Sequence, residues 1–276
     1  MKNRSHAEIT AGFPRLFDLR DVTRTAAHAF IASAIDAVED RRIILHPDAD
    51  PVYVEQYRRL GAALHQARVQ SGIRSVMIAS AVAAEGKTLT ATNLALMLSR
   101  SFAGRVLLVD GDLRKPSIHR LLQIENANGL SDILAGQDVG FPAQDLSPRL
   151  SVISAGSPHP DPVSLLASGA AEGFLAEARA RFDWIVVDTP PVVLFPDAEL
   201  LAGRLDTCVM VVGAATTASP AAATAVAALG AARIHGIVLN RAEFHDVAGG
   251  YGYGDYGYER RANAGSRSGW RLFSQK

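Results

Sequence analysis

The sequence predicts an α/β domain built on a doubly wound, mostly parallel sheet. Two observations predict it: short runs of Val, Ile and Leu recur along the chain, and stretches of helical periodicity separate them. Strands that are apolar throughout are buried on both faces, and strands that alternate with helices form parallel sheets through crossover connections. With 276 residues, 48% of them hydrophobic, the chain is long enough to bury one such core and to carry extensions.

The elements can be assigned in order from residue 52. A first helix is predicted because apolar side chains recur at helical spacing, at Val54, Tyr57, Leu60, Leu64 and Ala67. The predicted strands are residues 75–79, 105–109, 150–154, 184–187, 208–212 and 234–239. The predicted helices that separate them are residues 88–101, 131–134, 170–181, 197–202 and 218–229. Ligands of such sheets bind at the carboxyl ends of the strands, so the functional residues are expected there.

Composition argues against several classes of protein. Lys plus Arg equals Asp plus Glu at 28 residues each, so a dedicated nucleic-acid-binding protein is not expected. The single cysteine, Cys208, rules out an internal disulfide framework and fits a reducing compartment. The first residues lack the apolar region of a secretory signal. The uncharged stretch after Asp206 contains Gly213 and Pro220 and is predicted as a strand and a helix, so we expect a cytoplasmic protein.

Three segments are predicted along the chain. Residues 1–50 are weakly patterned and are interpreted as an N-terminal extension of unknown role, with linker-like sequences at 39–42 and 46–51. Residues 51–247 carry the regular alternation of strands and helices. Residues 248–276 are rich in glycine and tyrosine and then basic, which predicts a flexible tail.

A phosphate-binding loop is predicted between the first strand and the second helix, where residues 75–90 read SVMIASAVAAEGKTLT. In such a loop the backbone N–H groups and the helix N-terminus hold phosphates, Lys87 reaches the terminal phosphates and the Thr88 hydroxyl binds Mg²⁺. The usual pattern has a glycine five residues before Gly86, where this chain has Ala81. Gly-Lys-Thr alone is compatible with a chance helix start, but its place between a strand and a helix favours the phosphate loop.

Three aspartates follow buried strands. Asp110 and Asp112 lie in VLLVDGDLRKP (106–116), and Asp188 lies in WIVVDTPP (184–191). Each aspartate alone is typical of a helix cap or a turn. Three of them at strand ends beside a phosphate loop instead predict groups that hold Mg²⁺ or accept a proton from an attacking hydroxyl.

Together these motifs resemble the bacterial tyrosine kinases of the capsular and exopolysaccharide family, which belong to the P-loop NTPases. The resemblance covers about residues 52–258. Further matching segments are GLSDILAG (129–136), SVISAG (151–156), a loop DPVSLL (161–166), PDA (196–198) and GIVLNR (236–241). The tyrosine-rich tail also follows at the expected place.

The resemblance implies ATP and Mg²⁺ as cofactors and assigns roles to individual residues. Lys87 would bind the β- and γ-phosphates, and Asn240 would face the adenine. The residues that would hold Mg²⁺ are Thr88, Asp112 and Asp188. Asp110 would be the base that takes the tyrosine proton. The nucleotide would be contacted by Ala84, Glu85, Gly86, Lys87, Thr88, Leu89 and Asn240.

The resemblance also implies that the tail is the substrate. Four of the six tyrosines lie in it, and the predicted phosphoacceptors are Tyr251, Tyr253, Tyr256 and Tyr258. Expected partners are a separate transmembrane polysaccharide co-polymerase that activates the kinase, a second copy of the chain and a tyrosine phosphatase. We expect the partner to recruit the protein to the inner face of the cell membrane.

Two departures from the family are visible in the sequence. The family has Pro-Gly where this chain has Ala83-Ala84, and alanine is expected to form the turn only with a negative φ, which predicts reduced phosphate affinity or turnover. The helix through which the family forms rings has a glutamate and two arginines at three-residue spacing. Glu55 and Arg58 match, but Gly61 replaces the second arginine, so the oligomeric state stays open.

Two other functions stay open at this point. One is a non-kinase P-loop ATPase switch of the division or partition type. That class carries a signature lysine where this chain has Val82, and it lacks a tyrosine tail. The other is a nucleotide-binding regulator without turnover, which Ala83-Ala84 keeps open.

Overall fold

The computed structural model describes Asp40, residues 42–102 and residues 104–242. The helices are α1 (Pro51–Ser71), α2 (Lys87–Ser101), α3 (Ile118–Leu122), α4 (Leu130–Leu134), α5 (Pro162–Ala167), α6 (Gly169–Arg181), α7 (Asp197–Ala202) and α8 (Ser219–Leu229). The strands are β1 (Ser75–Ser80), β2 (Val106–Asp110), β3 (Gln144–Ser147), β4 (Leu150–Ile153), β5 (Trp184–Asp188), β6 (Thr207–Gly213) and β7 (Ile234–Asn240). A short 3₁₀ helix, Ala231–Arg233, precedes β7.

The seven strands form one sheet in the order β3-β4-β2-β5-β1-β6-β7, parallel except that β3 runs antiparallel to β4. Asp110 at the end of β2 is in register with Asp188 at the end of β5, and Ile78 of β1 is in register with the same Asp188. The carboxyl ends of these three neighbouring strands therefore meet at one edge, where the predicted site residues lie.

Each face of the sheet is covered by helices. On one face, side chains of α1 and α2 such as Leu64 and Leu94 form a core with Ile78 of β1. On the other face, Phe174 of α6 and Leu201 of α7 belong to a second core cluster. The prediction of a doubly wound, mostly parallel α/β sheet is confirmed.

Three elements were not predicted. β3 has a polar sequence, QDLS, at the sheet edge, and α3 spans five residues, so neither shows a clear hydrophobic period. The interpretation of residues 161–166 as a loop was wrong, because Pro162–Ala167 is helical. The Asp161 side chain caps this helix by accepting a hydrogen bond from the Ser164 N–H at 3.1 Å.

The short stretch between the two linker-like sequences, residues 43–45, packs into the fold. Ile43 and Ile44 are buried in the core cluster that contains α1 and α2. Asn93 of α2 is fully buried and fixes this segment, since its Oδ1 accepts from the Ile44 N–H at 3.0 Å and its Nδ2 donates to the Arg42 carbonyl at 2.9 Å. The packed fold therefore begins before residue 51.

Gly61 lies where α1 packs against the end of α2. A Cβ at this position would lie 2.8 Å from Cε2 of Phe102. The larger side chain that the family places here therefore does not fit without movement of Phe102.

Residues 1–39 and the tail from residue 243, with its four tyrosines, lie outside the described residues. Within the described ranges, no helix combines the length and apolar character that a membrane span requires. The uncharged stretch after Asp206 forms β6 and α8, as predicted.

Candidate nucleotide-binding site

The phosphate loop connects β1 to α2. Gly86 precedes the first residue of α2 with a φ of 96°, a left-handed conformation that glycine adopts without strain. The first N–H groups of α2 have no partner within the helix, so they and the helix dipole provide a site for a phosphate anion. Lys87 and Thr88 are the first two residues of this helix, as the motif predicts.

The Glu85 side chain acts as a brace, since its hydrogen bonds hold the phosphate loop in place. Its side chain is 2% exposed; Oε2 accepts from the Val82 N–H at 2.7 Å and Oε1 accepts from the Gly213 N–H at 3.1 Å. The Thr217 hydroxyl also donates to Oε1. The Glu85 side chain thus ties the phosphate loop to the end of β6, and its contact with the nucleotide stays a prediction.

Ala84 contradicts one expectation. Its φ is +64°, so the requirement of a negative φ was wrong. A left-handed alanine costs roughly 1–2 kcal/mol, and the surrounding bonds maintain it. The guanidinium of Arg241 donates to the Ala84 carbonyl at 2.6 Å, and the Glu85 brace fixes the next residue.

Asn240 ends β7 directly behind the phosphate loop. Its Nδ2 donates to the Glu85 carbonyl at 2.8 Å, and a Cβ on Gly86 would lie 2.1 Å from the same nitrogen. Glycine is therefore required at position 86 for packing as well as for backbone conformation. The adenine contact of Asn240 stays a prediction.

The structure brings the phosphate loop into contact with the carboxylates that follow β2 and β5. Thr88 Oγ1 donates to Asp188 Oδ2 at 2.6 Å and lies 3.1 Å from the Ser117 hydroxyl. Lys87 Nζ lies 3.5 Å from Asp112 Oδ2. The lysine and the threonine that the motif assigns to phosphates and metal therefore each contact one of the predicted carboxylates.

Asp188 has the features of a cation ligand. It is fully buried, and its Oδ1 has no hydrogen-bond partner within the described part of the chain. Burial raises the pKa of this carboxyl above its ordinary value, Lys87 opposes the shift and Asp110 adds to it. An unpartnered buried oxygen beside the Thr88 hydroxyl and the Asp112 carboxylate fits Mg²⁺, which prefers oxygen ligands.

Asp110 occupies a different environment. It is fully buried, and its Oδ2 accepts from the N–H groups of Ser117 and Ile118, both at 3.0 Å. Its Oδ1 accepts from the Asp112 N–H at 3.3 Å. Burial raises its pKa, while these backbone bonds lower it. Asp110 thus holds the loop after β2 through these bonds, and its role as the base stays a prediction.

Sequence reasoning missed an ion pair beside the site. Arg114 makes a bidentate contact with Asp197, with Nε at 3.0 Å from Oδ1 and Nη2 at 3.1 Å from Oδ2. Asp197 is fully buried, and the guanidinium lies 4.3 Å from the centre of the Phe195 ring. The pair joins the loop after β2 to the first residue of α7, and no local pattern in the sequence indicates it.

A cleft of about 900 Å³ opens over these groups. Predicted site residues that line it are Ala84, Gly86, Lys87, Thr88, Leu89 and Asp112. The remaining predicted residues, Glu85, Asp110, Asp188 and Asn240, are not among those that line it. The fold and this site define the chain as a P-loop nucleotide-binding protein.

Comparison with known proteins identifies the family. The chain is 34% identical to the tyrosine-protein kinase YwqD of Bacillus subtilis over 221 residues, covering 78% of this chain and 93% of YwqD. It is 32% identical to the tyrosine-protein kinase Wzc of Salmonella typhi, covering 76% of this chain but 30% of Wzc. The chain belongs to the bacterial tyrosine-protein kinases. No protein-family model matches it.

Solved structures agree. The kinase domain of the Escherichia coli tyrosine kinase ETK superimposes with a TM-score of 0.67 at 28% identity, covering 85% of this chain and 88% of that domain. The VpsO kinase domain gives a TM-score of 0.61 at 32% identity, covering 67% and 93%. The septum site-determining protein MinD of Pyrococcus horikoshii is 20% identical with a TM-score of 0.52, covering 62% and 72%, and shares the fold alone. The prediction of a bacterial tyrosine kinase is confirmed over the division-type switch.

Proposed function

We propose that the chain transfers the γ-phosphoryl group of Mg-ATP to tyrosines of its own C-terminal tail, and that it acts in capsule or exopolysaccharide biosynthesis. One observation carries the proposal. Lys87, Thr88, Asp112 and Asp188 converge at the phosphate loop, and the buried Asp188 Oδ1 has no partner among the described residues. This is the arrangement that phosphoryl transfer requires, since its catalysis is mainly positioning and charge stabilisation.

Each residue has a defined part in this reaction. The N–H groups at the start of α2 and the Lys87 ammonium bind the β- and γ-phosphates. Mg²⁺, held by Thr88, Asp112 and Asp188, would neutralise the charge on those phosphates. The tyrosine oxygen forms the new bond to the γ-phosphorus, the bond to the β,γ-bridging oxygen breaks, and ADP leaves.

The phenolic proton passes to a carboxylate at the end of β2. Asp112 lines the cleft, but as a Mg²⁺ ligand paired with Lys87 it is a poor base, so Asp110 stays the predicted base. Asp110 also holds the loop after β2 through the Ser117 and Ile118 N–H groups, so the alternative is a purely positioning role. The two roles separate in Asp110→Asn. A positioning residue would leave the shape of the pH profile unchanged, whereas loss of the base would remove its acidic limb.

The test of ATP binding uses the two lysines that line the cleft. Lys87→Met removes the charge that meets the terminal phosphates, and we expect at least a tenfold loss of Mg-ATP affinity by calorimetry together with loss of tyrosine labelling. Lys115→Met is the matched control and should keep the wild-type affinity for Mg-ATP. Equal affinity in wild type and Lys87→Met would overturn the assignment of the phosphate loop.

The remaining expectations belong to the same proposal. A separate transmembrane co-polymerase would recruit the chain to the inner face of the membrane and activate it, and a tyrosine phosphatase would reverse the labelling. The observation in favour of such a partner is that this chain matches 30% of the length of Wzc, so Wzc contains further segments that the match does not cover. Addition of cytoplasmic peptides from a candidate co-polymerase should raise the rate of tyrosine labelling, and an unchanged rate would exclude that candidate.

A further inference from the structure

The cleft has two halves that the order of strands separates. The phosphate loop follows β1, and Asn240 ends β7 on the side of β6. The loop after β2 lies on the other side of β1, beyond β5. With phosphates on the phosphate loop and adenine toward Asn240, the half beside β2 is free for the group that receives the phosphate. We call it the acceptor half, and of the residues that line the cleft we assign to it those after β2, Lys115, Ser117, Arg120, Leu121 and Gln123, with Asp40 and Arg42 opposite them.

Positive charge in the cleft is not compensated evenly. Lys87 is paired with Asp112, Arg114 with Asp197 and Arg42 with Asp40. The other two cations of the acceptor half, Lys115 and Arg120, are not paired in this way. Arg120 donates to the Pro116 carbonyl at 2.8 Å, and neither it nor Lys115 has a carboxylate partner in the part of the chain that the structure describes. Both residues are exposed, so they present a net positive charge to whatever enters this half.

The opposite wall of the acceptor half is a fixed structure. Arg42 and Asp40 line the cleft, and their segment is held by the two hydrogen bonds from the buried Asn93 to Arg42 and Ile44. On the side of β2, Asp110 fixes the start of α3 through the Ser117 and Ile118 N–H groups. Both walls are therefore positioned before a substrate binds.

We propose that the acceptor half selects tyrosines flanked by carboxylates, and that Lys115 and Arg120 carry this selection. The occupant is segment 251–259 of a second copy of this chain. In it Asp255 precedes Tyr256 and Glu259 follows Tyr258. A carboxylate one residue from the acceptor lies about 3.5 Å along an extended chain, within reach of cations that border the same cleft. The inference rests on the proposed function.

The topology favours a second copy as the source of this segment. β7 ends beside the predicted adenine position, on the far side of the cleft from the acceptor half. A segment of another copy can approach the acceptor half from the β2 side without crossing the nucleotide site.

The test compares two synthetic peptides of residues 249–260, one with the native sequence and one with Asp255→Asn and Glu259→Gln. Binding is measured by fluorescence anisotropy with Mg²⁺ and a non-hydrolysable ATP analogue, and labelling is measured separately with Mg-ATP. Each exposed ion pair typically contributes a few-fold in affinity, so we expect the full-length protein to prefer the native peptide by about 3- to 10-fold. The preference should fall in 0.5 M salt because screening weakens exposed pairs.

The variant Lys115→Gln/Arg120→Gln should bind both peptides equally and keep its affinity for the nucleotide. Arg105→Gln/Arg149→Gln is the matched control, because it removes two exposed charges at the amino ends of β2 and β4, away from the cleft, and it should keep the preference. Equal binding of the two peptides to the wild type, or a preference retained in Lys115→Gln/Arg120→Gln, would overturn the inference. Absence of labelling despite selective binding would instead overturn the proposed function.

Discussion

The two halves of the cleft differ in the groups that border them. The phosphate-loop half is fixed by hydrogen bonds to the backbone: the Val82 and Gly213 N–H groups donate to the Glu85 carboxylate, and Asn240 donates to the Glu85 carbonyl. The acceptor half also has such bonds, at Asn93 and Asp110, but ion pairs between side chains border it as well, Arg114 with Asp197 and Arg42 with Asp40. The bonds of Glu85 and Asn240 fix the loop that binds phosphates, whereas the exposed charges of Lys115 and Arg120 can be changed without removing a buried ion pair. Specificity for the acceptor is therefore expected to depend on the second half.

The largest effect on stability is expected for the ion pair of Arg114 with Asp197, which joins the loop after β2 to the start of α7. Arg114→Ala leaves the fully buried Asp197 without its bidentate partner, and we expect a loss of stability of about 3 kcal/mol. Arg114→Lys keeps the charge but loses the planar fork, so it should fall between Ala and wild type. Chemical denaturation measures both. If Arg114→Ala is as stable as the wild type, the pair does not hold these two segments together.

An intermediate loss of stability is expected when Glu85, which holds the phosphate loop in place, is changed. Glu85→Gln replaces a buried carboxylate that accepts three hydrogen bonds with a neutral amide whose NH₂ group faces donors, which should cost about 2 kcal/mol. Mg-ATP affinity should fall in parallel because the loop is no longer preorganised. Glu125→Gln, at an exposed position, provides the control. A normal affinity for Mg-ATP in Glu85→Gln would show that the brace serves folding alone.

The smallest effect on stability is expected at Ala84, where the substitution should stabilise the protein instead of destabilising it. Ala84→Gly relieves a left-handed alanine at φ 64° and should stabilise the protein by about 1 kcal/mol, partly offset by greater freedom of the unfolded chain. Ala83→Gly relieves no positive φ and should destabilise or have no effect. Thermal unfolding distinguishes the two, and a destabilised Ala84→Gly would show that the alanine is not strained.

The sequence was sufficient for the central strands because β1, β2 and β5 are buried on both faces, and burial requires an unbroken apolar run. It was insufficient where an element depends on distant residues. Helix α3 starts where the Ser117 and Ile118 N–H groups donate hydrogen bonds to Asp110 at the end of β2. Because the capping carboxylate belongs to the strand, the residues next to the helix show no capping pattern. The edge strand β3 is polar because one side faces no neighbour.

The candidate site shows the same division. Gly86, Lys87 and Thr88 form a local motif, so their positions follow from their order in the sequence. The ion pair of Arg114 with Asp197 spans 83 residues and could be found only in the fold. Asp110 and Asp112 look equivalent in the sequence, yet one is engaged by three backbone N–H groups and the other lines the cleft.

The central claim is that the cleft phosphorylates the tyrosine tail. Tandem mass spectrometry of the purified protein after incubation with Mg-ATP tests it most directly. We predict phosphate on Tyr251, Tyr253, Tyr256 and Tyr258, and none in Lys87→Met. The other two tyrosines, Tyr53 and Tyr57, hydrogen-bond to each other at 3.1 Å in a part-buried site. Phosphate confined to those two, or labelling that persists when the four tail tyrosines are changed to Phe, would contradict the account.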